Sequence, residues 1–267
     1  MSKIGATFDI AMSTSTLSKT KAKEFRKLIS KKERDITGLF MVEGEKSVTE
    51  LLRTFQPENI ICTSEWISRN RNISDLYLSK ILIAEHPVME IVSSLSSAPE
   101  VIGIFKKDPD SEKEPLLKDN ILTLLLDDIQ DPGNLGTIIR TCDWFGVYDI
   151  YASKNTVDVY SPKVVQSTMG SMSRIKVHYV DPENFIKKNS HLNVIGALLD
   201  GTPLYQCGKI SSGIIIMGNE GRGISERLKK YINLPLTIPP VNPVNHPDSL
   251  NVAIATSIIL SHLLHGS

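Results

Sequence analysis

The chain is poor in the features that mark a membrane, secreted or metal-built protein. It has only three cysteines, Cys62, Cys142 and Cys207, among 267 residues. They lie far apart, with no Cys-x-x-Cys pair and no Cys/His ligand spacing. That excludes a zinc site and a disulfide framework and fits a reducing cytoplasm. The six histidines do not cluster either, and no metal is expected. No apolar run approaches the ~20 residues of a membrane span. The opening MSKIGATFDIAMSTSTLSK lacks the continuous apolar core of a signal peptide. It is polar and Ser/Thr-rich, so residues 1–19 are expected to form a disordered leader. An excess of charge is absent as well: 30 basic side chains face 30 acidic ones, so the whole molecule exerts no net pull on a polyanion.

What charge there is, is unevenly placed. Lys19–Arg34 holds eight basic residues against Glu24 and Glu33 and reads as one basic helix. A solvated face and a polyanion contact explain it equally well. On the second reading the contacts with the polyanion are Lys23, Arg26, Lys27, Lys31 and Arg34. Further on, Lys106–Asp119 is charged, contains proline and has no apolar periodicity, which makes residues 108–118 a linker. It separates a small α/β domain, residues 20–107, from a second domain, residues 119–267.

The second domain alternates regularly. Strands are predicted near residues 121–126, 148–152, 175–179, 192–199, 213–217 and 236–238. Helices are predicted near 134–145, 161–169, 182–189, 224–231 and 249–264. Such alternation implies a mostly parallel sheet with helices on both faces. The last helix carries Leu250, Val252, Ala253, Ile254, Ile258, Ile259, Leu260, Leu263 and Leu264 around nearly its whole circumference. A helix apolar all round is buried on every side, so one side is expected to pack on the sheet and the other on a second subunit. Cover by the N-terminal domain is the alternative.

Three segments of this domain carry chemistry. In the first, Asp127–Val147, an apolar strand runs into the turn Asp131-Pro132-Gly133-Asn134. A helix follows, with Leu135, Ile138, Ile139, Cys142 and Phe145 on one face. Arg140 lies roughly 140° around that helix from Leu135, off the buried stripe. In the second, Ile214–Ser225, a buried strand opens into Gly218-Asn219-Glu220-Gly221-Arg222-Gly223. The glycines allow close backbone approach to a ligand. The spacing is neither that of a dinucleotide fingerprint nor that of a Walker loop, and Glu220 would repel a polyphosphate. In the third, Leu236–Ala255, a short strand leads through a Pro/Asn-rich loop into the last helix, with Asp248 or Ser249 as its N-cap.

Together these segments resemble the SpoU (TrmH) family of RNA ribose 2′-O-methyltransferases, in the SPOUT superfamily. The likeness rests on Asp131-Pro132-Gly133-Asn134-Leu135-Gly136 with Ile139-Arg140-Thr141, on Met217-Gly218-Asn219-Glu220-Gly221 with Gly223, and on Ile238-Pro239 followed by Ser249-Leu250-Asn251-Val252. Tyr160–Val165 with Met169-Gly170 adds a further match. More loosely, Phe40-Met41-Val42-Glu43-Gly44 is similar to the family's L30e-like substrate-binding domain. The resemblance implies an α/β fold: a trefoil-knotted SPOUT methyltransferase domain with a parallel sheet, preceded by the small L30e-like domain. It implies S-adenosylmethionine as cofactor, RNA as partner and a homodimer through the C-terminal domain. The implied catalytic set is Asn134, Arg140, Glu220, Ser249 and Asn251, with Asn134 and Glu220 orienting Arg140. The implied cofactor contacts are Leu198, Met217, Gly218, Ile238, Pro239 and Leu250. The sequence departs from the family pattern at Thr137, where many relatives have alanine, and in the longer loop Pro240–Asp248. A non-catalytic RNA-binding protein on the same fold is the other reading. A nicotinamide-dependent dehydrogenase is excluded, because Asp-Pro-Gly-Asn, not a glycine fingerprint, follows the first strand.

Overall fold

A computed structural model describes residues 15–109, 116–242, 245 and 247–265. Most of the expected leader, and linker residues 110–115, lie outside the described residues. The chain divides into two compact units. One holds the residues up to Asp108 together with Tyr160–Ser173, and the other holds Pro109–Val159 and Arg174–Ser267.

In the first unit the elements run β1 (Ser15–Thr16), α1 (Lys19–Arg26), α2 (Lys31–Thr37), β2 (Leu39–Glu43), α3 (Glu45–Leu51), β3 (Pro57–Cys62), α4 (Ser64–Arg69), α5 (Arg71–Leu76), β4 (Ile81–Ile83), α6 (His86–Val92) and β5 (Val101–Lys106). The sheet order is β1-β4-β3-β5-β2. β5 pairs antiparallel with β2 and β3, while β4 pairs parallel with β3 and β1. Ser15 and Thr16, expected within the leader, are thus an edge strand. The core joins Ala22, Phe25 and Leu28 to Met41, Ile61, Met89, Val92 and Ile102. The segment Tyr160–Ser173 belongs to this unit although it lies far along the chain. The Tyr160 ring sits 4.7 Å from that of Phe40, and its hydroxyl accepts from the Asp108 amide at 3.1 Å.

The expected single basic helix is two. A 3₁₀ turn, Lys27–Ile29, ends α1, and Ser30, in extended conformation, precedes α2. Lys23, Arg26, Lys27 and Lys31 are exposed. Lys31 and Lys107 both pair with Asp35, at 2.7 and 2.6 Å, and hold its carboxyl down to about 2. Arg34 is a correction. It is 2% exposed, and its Nη1 donates to the carbonyls of Leu28 and Ile29, both at 2.8 Å. Its charge satisfies the backbone of the 3₁₀ turn and does not face a polyanion. Arg34→Ala is therefore expected to lower stability by about 3 kcal/mol, since it removes charge-assisted hydrogen bonds inside a packed interior. Urea unfolding checks this, and an unchanged midpoint would be wrong for a buried clasp.

The second unit contains β6 (Leu122–Asp127), α7 (Pro132–Phe145), β7 (Asp149–Ser153), β8 (Lys176–Val180), α9 (Pro182–Lys188), β9 (Val194–Pro203), β10 (Gly213–Gly218), α10 (Glu226–Lys229), β11 (Leu234–Thr237) and α11 (Val252–His265); α8 (Pro162–Thr168) lies in the segment that belongs to the first unit. The six strands form a wholly parallel sheet in the order β11-β9-β10-β6-β7-β8. From β6 the chain builds outward to β8 and then returns to the other side, so the direction of winding reverses between β6 and β10. In open parallel sheets a ligand binds at such a reversal, outside the carboxyl ends of the strands. The register aligns Gly218 with Asp127, so the loops that leave β6 and β10 start side by side.

Two helices frame that edge. α7 begins at Asp131, whose carboxylate accepts from the Asn134 amide at 2.8 Å, and ends at Gly146 with φ +73°. It buries Leu135, Ile138, Ile139 and Cys142. α11 packs on α7, where Thr141 and Ser257 hydroxyls meet at 3.1 Å. α11 buries Val252, Ala253, Thr256, Ile259, Leu260 and Leu263, whereas Ile254 is 53% exposed and Leu250, just before the helix, 50%. In the single chain its apolar circumference is therefore covered on one side only. Among the described residues no helix is long and apolar enough to cross a membrane.

All three cysteines are free thiols. Burial pushes Cys62 up to about 12 and raises Cys142 further, so both stay protonated near neutrality and neither meets solvent. Cys207 is half-buried. Because the thiolate is the reacting species, a thiol reagent is expected to label the native protein once, at Cys207. Peptide mapping checks this, and fast labelling of Cys142 would contradict the packing of α7.

Candidate active site

The carboxyl edge of β6 and β10 is held by a set of polar side chains from three separate segments. β6 ends in Asp127, buried, whose Oδ2 accepts from the Ser225 amide at 2.8 Å. Asp128 follows with φ +64°, a left-handed turn uncommon outside glycine. Its amide donates to Ser153 Oγ at 2.9 Å, and its carbonyl accepts from Asn219 Nδ2 at 2.8 Å. The Ile129 amide donates to Thr156 Oγ1 at 3.3 Å, and the two amides after it face the loop that follows β10. Gln130 N and Asp131 N donate to the Glu220 carboxylate at 3.4 and 3.3 Å.

Glu220 also accepts from Asn134 Nδ2 at 2.9 Å. Asn134 Oδ1 in turn accepts from Asn251 Nδ2 at 2.8 Å. One hydrogen-bonded chain, Glu220–Asn134–Asn251, therefore ties the loop after β10 to the start of α7 and to the start of α11. Its direction is fixed, because a carboxylate only accepts and each amide donates with one end and accepts with the other. Asn251 has a second task. Its Oδ1 accepts from Ala253 N at 2.9 Å and Ile254 N at 3.3 Å, so Asn251, not Asp248 or Ser249, caps α11.

Two of the five expected catalytic residues stand apart from this chain. Arg140 is exposed and makes no side-chain hydrogen bond or ion pair with any described residue. Asn134, expected to orient it together with Glu220, bonds Glu220 and Asn251 instead. Ser249 is exposed and, relieved of the cap, has no hydrogen-bond partner among the described residues.

The expected cofactor contacts gather along the same sheet edge. The β9–β10 ladder stops at Gly196–Ile216. The β9–β11 ladder jumps from Gly196 to Thr202, so residues 197–201, Leu198 among them, are shed from both ladders. Met217 is buried; Leu198, Gly218, Ile238 and Pro239 are half-buried; Leu250 is exposed. The edge thus offers main-chain donors and acceptors released from the sheet, beside hydrocarbon side chains. Such a donor set fits a flat heteroaromatic ring with a short zwitterionic tail, and among the described residues no His/Cys/Asp/Glu group could hold a metal ion. A Cβ at Gly218 would lie 2.3 Å from Gly223 C and Ile224 N, so the missing side chain makes room for the protein's own chain. Asp127 and Asp128 are not among the residues expected at the site, their outward signal being an Asp-Asp pair that closes an apolar strand, and Asn219 enters the sequence pattern only as part of the glycine-rich motif.

Comparison with known proteins agrees with this geometry. Residues 121–261 match the SpoU rRNA Methylase family model, and residues 19–103 match an MRM3-like substrate binding domain. The 23S rRNA (guanosine(2553)-2′-O)-methyltransferase RlmP of Bacillus subtilis is 31% identical over 248 residues, 91% of this chain and 95% of that protein. A TrmH-family structure from Porphyromonas gingivalis is 33% identical, covers 95% of this chain and 100% of its own, and superposes with a TM-score of 0.83. An AdoMet-bound rRNA methyltransferase from Sinorhizobium meliloti is 28% identical, with coverages of 94% and 96% and a TM-score of 0.82.

Proposed function

The chain belongs to the SpoU rRNA methylase family, and we propose that it methylates a ribose 2′-hydroxyl of structured RNA, ribosomal in preference to transfer RNA, with S-adenosylmethionine as donor. The observation that carries the reading is the Glu220–Asn134–Asn251 chain at the reversal point of a parallel sheet, on the same unit as an exposed Arg140 that pairs with no described residue. The ribosomal preference is supported by the relative from Bacillus subtilis, named for 2′-O-methylation of 23S rRNA, and the donor by the AdoMet-bound relative from Sinorhizobium meliloti.

S-adenosylmethionine supplies an electrophilic methyl group on a sulfonium. The residues that would hold it are Leu198, Met217, Gly218, Ile238, Pro239 and Leu250. The protein's own contribution is alignment and charge. A guanidinium does not deprotonate in a protein, so Arg140 is no general base. It draws in the target phosphate and stabilises negative charge as it builds on the 2′-oxygen. Asn134, Glu220 and Asn251 keep the three segments in register, so that the acceptor oxygen is held in line. Ser249 shapes the rim beside Asn251.

The reading extends to the rest of the chain. The outer side of α11, with Ile254, Ile258 and Leu264, pairs with a second copy, which gives a homodimer through the C-terminal unit. The knot implied by the family resemblance involves the chain from β9 to α11, against the general rarity of knots. Exposed Lys23, Arg26, Lys27 and Lys31 contact RNA phosphates. Free thiols suit a reducing cytoplasm. The substrate class is tested by competition: unmodified ribosomal RNA is expected to accept labelled methyl in preference to unmodified transfer RNA. Preferential labelling of transfer RNA would reverse that assignment.

A further inference from the structure

The loop that carries Glu220 also carries a cation with no assigned role. Its backbone is firmly set. Asn219 N and O bond Gly223 at 3.1 and 2.9 Å. Asn219 Oδ1 accepts from the amides of Gly221 and Arg222, both at 3.0 Å, and Asn219 Nδ2 holds the Asp128 carbonyl at 2.8 Å. From this base the Arg222 side chain extends into solvent, 76% exposed, and its guanidinium pairs with the Asp128 carboxylate, whose side chain is 19% exposed. Asp128 also accepts from Gln130 Nε2.

The ion pair is not what joins the two loops. The Asn219 amide and the Glu220 carboxylate already bridge them, with hydrogen bonds to the Asp128 carbonyl and to the amides of Gln130 and Asp131. With its cation this exposed, the pair contributes little to stability, and Arg222 is readily passed to another anion. Arginine is suited to such a trade, because its planar fork of donors matches phosphate oxygens as well as a carboxylate. Arg222 stands two residues from Glu220, at the sheet edge where the strand-end ligand binds.

Resting on the reading of this edge as an RNA methyl-transfer site, we propose that Arg222 is an RNA phosphate-binding residue. It sits on Asp128 in the free protein and passes to a phosphodiester oxygen of the bound RNA. Asp128 is the anion it leaves; the rigid loop fixes where the phosphate must lie relative to Glu220 and Asn134. Chemically this is an exchange of one anion for another at a fixed cation, with no covalent step.

The test is direct binding of unmodified 23S rRNA to the full chain over a series of salt concentrations, with thermal unfolding of every variant alongside. Arg222→Ala is expected to bind about tenfold more weakly at low salt, the loss of a charge-assisted contact. The slope of log affinity against log salt is expected to become shallower by about one, as for one phosphate contact fewer. Arg222→Lys should regain the slope and part of the affinity. Asp128→Asn, which keeps a residue tolerant of the left-handed turn, should bind as tightly as the parent or more tightly, because the competing carboxylate is gone. The proposal is overturned if Arg222→Ala keeps the parent affinity and slope, or if Asp128→Asn and Arg222→Ala weaken binding equally and both lower the melting temperature; either marks a structural clasp. A parent protein that binds RNA but transfers no methyl group would remove the functional reading while leaving the comparison of variants to judge Arg222. A parent that binds no RNA removes both.

Discussion

Replacing Arg140 with alanine is expected to lower methyl transfer by about 10²- to 10³-fold at saturating RNA and S-adenosylmethionine, the range typical of removing one preorganised stabiliser of transition-state charge. On the proposed role the effect should fall on turnover, because the charge that Arg140 would meet develops only as the 2′-oxygen loses its proton. Part of the loss will also appear in the Michaelis constant for RNA, through the phosphate contact. Stability should hardly change. The side chain is exposed, bonds to no described residue, and so falls in the class of surface substitutions that shift stability by about 0.5 kcal/mol or less. Arg140→Lys separates charge from geometry: it keeps the cation and loses the fork, and it should recover RNA affinity better than turnover. Steady-state kinetics with each substrate varied in turn measure this. Turnover close to that of the parent in Arg140→Ala would remove Arg140 from the chemistry.

The second large effect belongs to Gly218. An alanine Cβ would stand 2.3 Å from Gly223 C, 2.3 Å from Ile224 N and 2.6 Å from Gly223 O. These are backbone atoms, and the loop that holds them is tied down by the Asn219–Gly223 bridge and by Ser225 on Asp127. Relief must come from moving that loop. Gly218→Ala is thus expected to cost about 3 kcal/mol or more, the upper range for overpacking, and to abolish binding of S-adenosylmethionine, since Met217 and Gly218, two of the proposed cofactor contacts, lead into the displaced loop. Gly221→Ala is the control. The nearest atom to its Cβ would be 3.8 Å away, so it should fold and bind like the parent. Calorimetric titration with S-adenosylmethionine and thermal unfolding read both variants. A Gly218→Ala protein that melts and binds normally would show that the crossing at this point is not tight.

The central strand and its helix are written openly in the chain. Leu122–Asp127 is a buried run closed by turn residues, and the 3.6-residue spacing of Leu135, Ile138, Ile139 and Cys142 sets which side of α7 meets the sheet. The same spacing put Arg140 outside, where it is. Other features depend on contacts between distant segments and leave no local mark. Arg34 looks like its neighbours in a basic run; only the folding back of Leu28 and Ile29 around it makes it a buried clasp. Asp248, Ser249 and Asn251 are all competent helix caps, and the choice of Asn251 follows from its bond to Asn134, more than a hundred residues away. Tyr160–Ser173 sits between two strands of the second unit in sequence, yet joins the first, a pairing that Phe40 and Tyr160 make in space. At Gly218 the absent side chain leaves room for the chain itself at Gly223 and Ile224, a contact that a glycine-rich loop does not announce locally.

The central claim is that this chain transfers methyl to ribose, and the position of the label tests it most directly. The full protein is incubated with labelled S-adenosylmethionine and unmodified ribosomal RNA, and the RNA is hydrolysed in alkali. A 2′-O-methyl group blocks cleavage at its own phosphodiester, so the account predicts label in alkali-resistant dinucleotides, from one position. Label in mononucleotides would place the methyl on a base, and absence of label from RNA despite measurable cofactor binding would make the chain a non-catalytic binder; either result contradicts the account.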